Sequence, residues 1–293
     1  MIGNQMVEMM RQPNTEMYRI HPRVEVESLP HGDMKMTVQG VSFDNISGDL
    51  AIGRIDFFIM NRDSFSGSRQ VFFVNVHSIH IAQSNRDFLS SIRNCDLTLP
   101  DGSGLKIAAR LLGTSVVENL NGTDFLPRVL RVALKKGWTI YLFGARQDVI
   151  MRCERRLSEQ FPGLRIIGSH PGFFDPHHEQ AIISDINRCR PDILLVALGS
   201  PFQELWISQK AKTLDVGVSM AVGGLFDFIS GAVPRAPEWM QRFGIEWLFR
   251  FGQAPLGKWR RVAIEIPIFL LRALIEANFK RQNSNTNQKM KEL

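Results

Sequence analysis

From Val38 onward the chain alternates between two hydrophobic rhythms. Short runs rich in β-branched and aromatic residues, VFFVNV (71–76), WTIYLFG (138–144), LRIIGS (164–169), PDILLVALG (191–199) and VSMAVGG (218–224), are nearly continuous in apolar character. Between them lie longer runs in which apolar residues return at helical spacing: IHIAQSNRDFLSSIRN (79–94), DFLPRVLRVALKKG (124–137), VIMRCERRLSEQFPG (149–163), EQAIISDINRCR (179–190) and PFQELWISQKAKTL (201–214). Strands of about 5–8 residues interleaved with helices of about 10–15 predict an α/β, Rossmann-like fold, a mainly parallel sheet with helices on both faces. Punctuation falls where that scheme needs it. Lys135, Lys136 and Gly137 end one helix with cations at its negative pole and a glycine just beyond it, and Phe161-Pro162-Gly163 stops the next.

Outside the alternating region the pattern changes. Residues 1–37 are Met-rich, polar and without period, and are expected to be a disordered extension. Residues 38–243 form the α/β domain, 244–280 a basic amphipathic helical appendage, and 281–293 a polar tail expected to be disordered. The start of the chain has no apolar core behind a positive cluster, so a secretory signal is not expected. The longest apolar stretch, Val262 to Phe279, is interrupted by Glu265, Pro267, Arg272 and Glu276 and does not read as a membrane span.

Composition, 44% hydrophobic and 22% charged over 293 residues, is that of a soluble globular enzyme. Cys95, Cys153 and Cys189 lack the paired spacing of a zinc site or disulfide framework and read as reduced and structural. Charge adds one asymmetry. From Arg242 to the end, ten Lys or Arg stand against four Glu, which accounts for the whole net charge of +6. Such a segment suits an anionic surface, either nucleic acid or inner-leaflet phospholipid headgroups.

In parallel sheets ligands bind beyond the carboxyl ends of the strands, so the residues that follow each strand carry the chemistry. These are Asn75, His77 and Ser78; Pro100-Asp101-Gly102-Ser103-Gly104; Ala145-Arg146-Gln147; Ser200-Pro201-Phe202-Gln203-Glu204; and Phe226-Asp227. YLFGARQDV and VALGSPFQE read as strand, glycine turn and helix N-terminus, at Gly144 and Gly199, a geometry that suits a phosphate. The GxGxxG spacing of a dinucleotide site is missing, and a tight strand-to-helix connection explains either glycine equally well. His177-His178 reads as a solvated loop, and no metal-ligand cluster or DxD carboxylate pair is present. Any diphosphate would then be met by arginine and backbone donors. Taken alone, Pro100-Asp101-Gly102 is a turn as readily as a catalytic carboxylate.

Taken together, VNVHSIHIAQSNRDFLSSIRNCDLTLPDGSGLKIAARLLG, NGTDFL, YLFGA, PDILLVALGSPFQELWI and VGGLFDFISGAVPRAPEWMQRFGIEWLFR resemble, in order and spacing, the WecG/TagA/CpsF family of bacterial glycosyltransferases. The likeness runs from about Val38 to about Arg261. It implies an inverting transfer of a hexose from a UDP-sugar to a polyprenyl-diphosphate-linked sugar in cell-surface polysaccharide synthesis, with N-acetylmannosamine, its uronic acid or glucose as the donor sugar. UDP-sugar would be a co-substrate, and neither cofactor nor metal is expected. Carried over residue by residue, the resemblance makes Asp101 the general base, places Asn75 and Gln203 beside it as catalytic-site residues, and assigns Asp227 to the nucleotide; Gly144 and Gly199, from their glycine turns, and Arg235, as an available cation, join it as candidates for the nucleotide and diphosphate. Asn75 and Gln203 are also placed to cap helix starts, and Asp227 to be an N-cap.

One position departs from the family pattern. An arginine expected shortly before the GxD element is replaced by Asn119, and Arg235, Arg250, Arg260 and Arg261 are the cations available to an acceptor diphosphate. A polyprenol-linked acceptor stays in the bilayer, and segment 246–279 combines Trp247, Phe249, Phe251 and Trp259 with Arg and Lys, so the enzyme is expected in the cytoplasm, peripheral on the inner face of the cytoplasmic membrane and in contact with anionic lipids, with no nucleic-acid partner and with a homo-oligomer compatible. The rival reading, a non-catalytic UDP-sugar-binding module that recruits partners to a membrane, needs no carboxylate at the pocket.

Overall fold

The structure, a computed structural model, describes residues 35–237, 239–240, 248–249, 252 and 261–291. The chain opens with an antiparallel hairpin, β1 (Lys35–Val38) and β2 (Val41–Asp44), followed by α1 (Gly48–Met60). The alternating region then unrolls as β3 (Arg69–Val74), α2 (Val76–Ala82), α3 (Arg86–Asn94), β4 (Leu97–Pro100), α4 (Ser103–Leu111), α5 (Gly122–Lys136), β5 (Thr139–Gly144), α6 (Gln147–Gln160), β6 (Arg165–His170), α7 (Glu179–Cys189), β7 (Ile193–Ala197), α8 (Phe202–Lys210), β8 (Val218–Ala221) and α9 (Leu225–Ile229). A π-helical turn, Arg261–Glu265, leads into the final helix α10 (Ile266–Lys291).

The strands from β3 on form one six-stranded sheet in the order β4-β3-β8-β7-β5-β6, with every neighbouring pair parallel. Alternate residues of each strand face opposite sides, so the sheet has two cores. On one side Val71, Leu97, Ile140, Leu195 and Met220 meet α1, α5, α6 and α9. On the other, Phe72, Val74, Tyr141, Val196 and Ala221 meet the hairpin, α2, α3, α4, α7, α8 and the buried face of α10, Phe269 and Ala273. Both faces of the sheet are covered by apolar side chains, which is why these strands read in the sequence as unbroken apolar runs.

Two sequence expectations are corrected. The run 79–94, read as one helical segment, is two helices, because Asn85 leaves helical geometry and its side chain accepts from Phe88 N at 2.9 Å, starting α3 afresh. The run from 281, expected to be disordered, continues α10 as far as Lys291; no glycine or proline interrupts it. Lys136 and Gly137 end α5 as expected, with Gly137 in the left-handed region at φ 71°.

The sheet order opens a crevice above β8. The chain leaving β3 and that leaving β7 pass to one face, whereas the chain leaving β8, which lies between them, passes to the other through α9. Exits that part in this way open a gap above the carboxyl ends of the strands.

Candidate active site

A cleft of about 270 Å³ occupies that gap. Its walls come from the β3 exit (Phe73, Asn75, His77), the β4 exit (Asp101), the start of α5 (Asn121, Gly122, Thr123), the β7 exit (Gly199, Ser200, Gln203, Glu204) and the β8 exit with the start of α9 (Ala221 to Leu225, Phe228).

Strand register brings Asn75 and Asp101 together. Val74 of β3 pairs with Pro100 of β4, so the next residue of each strand emerges side by side at the sheet edge. Asp101 N still donates to Val74 O at 2.7 Å, and Asn75 Nδ2 donates to Asp101 Oδ2 at 3.1 Å. The other end of the Asn75 amide is committed too. Its Oδ1 accepts from Ser78 N at 3.1 Å while Ser78 Oγ accepts from Asn75 N at 3.4 Å, a reciprocal capping box at the start of α2. Cap and site partner are therefore one residue, and the cap fixes which end of the amide faces the carboxylate.

The turn after Asp101 is held equally firmly. Gly102 has φ 99°, a conformation open to glycine and strained for other residues. Gly102 N donates to Asn119 Oδ1 at 2.6 Å, and Leu120 N donates to Pro100 O at 2.9 Å. Asn119, standing where the family arginine was expected, thus braces the turn that carries Asp101.

Gln203, the second residue of α8, is buried, and its amide is fully engaged within the protein. Oε1 accepts from Gly223 N at 2.9 Å and from Gly199 N at 3.3 Å; Nε2 donates to Glu204 Oε1 at 2.9 Å and to Ser200 Oγ at 3.5 Å. It ties the β7 exit to the β8 exit; Pro201, not Gln203, is the N-cap of α8. Gly199, at φ 81°, shapes the same wall.

Three of the nucleotide assignments fall outside the lining. Gly144 ends β5 against β7, where an added Cβ would stand 2.4 Å from Ala197 O, so close strand packing accounts for this glycine. Asp227 lies in the first turn of α9, behind the lining residues Gly223 to Leu225; Gly224 is the N-cap there, which removes the reading of Asp227 as a cap. Arg235 pairs with Asp124 of α5, whose first residues line the cleft. Arg250 and Arg260 lie outside the described residues, as does the side chain of Arg261.

Sequence reasoning gave no role to Glu204 or to the start of α5. Burial pushes the Glu204 carboxyl up, against the opposing pull of hydrogen bonds from Gln203 and Ser200. Asn121 caps α5, accepting from Asp124 N at 3.0 Å and from Thr123 Oγ1 at 2.6 Å. That cap was legible as Asn-Gly-Thr-Asp before an apolar run. His77, itself in the cleft wall, pairs with Glu265 of the π-helical turn, Nδ1 to Oε2 at 2.8 Å, and so joins the site to the C-terminal helix. The amino ends of α5 and α8 both border the cleft and bring positive helix-dipole potential to it. Among the described residues no group of three His, Cys, Asp or Glu is arranged to hold a metal ion.

A half-exposed carboxylate oriented by an amide, in a crevice ringed by helix amino ends, is suited to deprotonating a hydroxyl beside an anionic leaving group. Residues 36–283 match the model of the Glycosyl transferase WecG/TagA/CpsF family. The chain belongs to this family. The N-acetylglucosaminyldiphosphoundecaprenol N-acetyl-beta-D-mannosaminyltransferase of Bacillus subtilis (strain 168) is 34% identical over 208 residues, 71% of this chain and 80% of that protein. The protein of the same name from Bacillus spizizenii is 32% identical over 193 residues, 66% of this chain and 74% of its own. That of Staphylococcus aureus (strain MW2) is 27% identical over 240 residues, 80% of this chain and 91% of its own. This WecG/TagA/CpsF member is thus a glycosyltransferase, and the match reaches well into α10.

Proposed function

We propose that the chain transfers N-acetylmannosamine from a UDP-linked donor to a hydroxyl of N-acetylglucosamine carried on a polyprenyl diphosphate, with inversion at the anomeric carbon. The observation that carries this reading is the Asn75–Asp101 pair at the mouth of the switch-point cleft. Asp101 accepts the proton of the acceptor hydroxyl, whose oxygen bonds to the anomeric carbon as the bond from that carbon to the diphosphate oxygen breaks; UDP leaves with the electron pair. The Asn75 N–H stabilises the ionised carboxylate, the form able to take the proton. N-termini of α5 and α8 meet the charge that develops on the leaving diphosphate. The identity of the sugar is drawn from the names of the relatives.

With helix dipoles serving the diphosphate, divalent metal is not needed in this reading. Incubation with UDP-N-acetylmannosamine and lipid-diphosphate-N-acetylglucosamine should give the lipid-linked disaccharide and UDP, at an unchanged rate in EDTA. Absence of product with this donor, but turnover with the UDP-linked uronic acid or glucose, would replace the sugar assignment; loss of activity in EDTA restored by magnesium would replace the metal-free reading.

The acceptor's lipid places the enzyme at a membrane surface. No helix among the described residues is long and apolar enough to cross a membrane. Helix α10 instead buries Phe269, Ala273 and Ala277 against the domain and exposes Leu271, Leu274, Ile275 and Phe279 on its outer side. An apolar stripe facing out, in the basic part of the chain, supports peripheral attachment to anionic lipid on the inner face of the cytoplasmic membrane.

A further inference from the structure

The proposed chemistry gives no task to a buried carboxyl of the cleft. Glu204 lines the cleft from the first turn of α8 and is 2% exposed. Its two oxygens are treated unequally. Oε1 accepts from Ser200 Oγ at 2.7 Å and from Gln203 Nε2 at 2.9 Å. Oε2 is buried and has no hydrogen-bond partner among the described residues.

A buried carboxylate oxygen without a donor destabilises the fold. Glutamine would keep both Oε1 contacts and bury no charge, so folding alone gives no reason for a carboxylate here. A ligand that donates to Oε2 does. The ligand group is narrowed by position and charge. A carboxylate repels phosphate, so the partner is a neutral N–H or O–H. One cleft of about 270 Å³ holds both Asp101 and Glu204, and the donor group in it must present its anomeric carbon to the acceptor hydroxyl held at Asp101. That group is the transferred sugar.

We propose that Glu204 is a specificity-determining residue of the donor subsite, its Oε2 accepting a hydrogen bond from a hydroxyl or amide N–H on the hexose of the bound sugar nucleotide. The inference rests on the reading of the cleft as the site of a UDP-linked donor. It adds to that reading a contact with the sugar itself, which a base at Asp101 does not require.

Glu204→Gln isolates the claim. Its Oε1 keeps the bonds from Ser200 and Gln203, because the flipped amide would set its NH₂ against Gln203 Nε2; only the second atom changes, from acceptor to donor. Steady-state kinetics with UDP-N-acetylmannosamine should show the donor KM raised about 10- to 100-fold with kcat little changed, the pattern of a lost ground-state contact. Calorimetry with free UDP, which lacks the hexose, should give a Kd within about twofold of wild type. An unchanged donor KM would overturn the assignment, and so would UDP affinity that weakens in parallel, which would place Glu204 with the nucleotide or the scaffold. A wild-type protein that neither binds UDP nor turns over the donor would instead overturn the donor reading, before the variant is compared.

Discussion

Asn75 does two things with one amide, and substitutions can separate them. Asn75→Asp keeps an N-cap of equal quality, so Tm should stay near wild type at acid pH, where the new carboxyl is neutral, and fall behind it as pH rises. It also sets a second carboxylate about 3 Å from Asp101, and like charges at that range raise the apparent pKa of the pair. The acid limb of the kcat/KM profile should therefore move up by about one unit or more. Asn75→Ala loses both functions, and denaturant unfolding should show about 1 kcal/mol less stability together with slower turnover. If Asn75→Asp left the profile in place, the amide would be a cap alone. Glu204 gives a second test, through its raised pKa. The neutral form is favoured in the folded state, so this residue's contribution to stability is fully present below its unfolded value near 4.5 and is lost as pH rises through the higher folded value. Thermal melts should thus find Glu204→Gln gaining on wild type as pH is raised from 5 towards 8; a Tm difference constant with pH would contradict the shift. Asp101 was legible in the sequence only through its motif company, and Asn75 likewise. Glu204 was not: a buried glutamate and a solvated one look alike in the first turn of a helix, since burial is decided by what the neighbouring strand exits bring across.

The strands were legible because both faces of each are covered, which leaves continuous apolar runs bounded by turn residues. The split between α2 and α3 was missed because Gln83, Ser84 and Asn85 suit an exposed helical turn as well as a break; the Asn85 cap decides it. Gly144 was assigned to the nucleotide on a motif that a close strand approach also produces, and the packing of β5 on β7 is what the structure shows. At the C-terminus, the basic amphipathic pattern was readable, but which face docks was not. Phe269 and Ala273 turn inward, and Gln39 of the β1–β2 turn holds the helix by donating from Nε2 to Phe269 O at 2.8 Å and from its backbone N to Glu276 Oε2 at 3.1 Å. The outer stripe is then free to meet lipid. Leu271→Gln combined with Phe279→Gln should weaken sedimentation with anionic vesicles at least tenfold, at roughly 1 kcal/mol for each partly inserted side chain, while leaving Tm unchanged because both positions are exposed. Vesicle binding equal to wild type would remove α10 as the contact.

Across the whole molecule, composition and alternation specified a parallel α/β sheet, but not its strand order. That order places β8 between β3 and β7 and so determines which loops share a cleft. Long-range pairing of this kind depends on packing between segments more than a hundred residues apart and leaves no local mark. Charge divides along the same lines: a balanced domain carries the cleft, and the basic end of the chain lies with α10. In the proposed function the domain, its cleft and α10 serve a transferase that works on an acceptor held in a bilayer, and the central step is proton removal by Asp101. The most direct measurement compares wild type and Asp101→Asn on lipid-diphosphate-N-acetylglucosamine in anionic vesicles with saturating UDP-N-acetylmannosamine. With Asp101 as the general base, kcat should fall roughly 10²–10⁴-fold while the Kd for UDP, the Tm and vesicle binding remain those of the wild type. Turnover by Asp101→Asn within a few fold of wild type would contradict it.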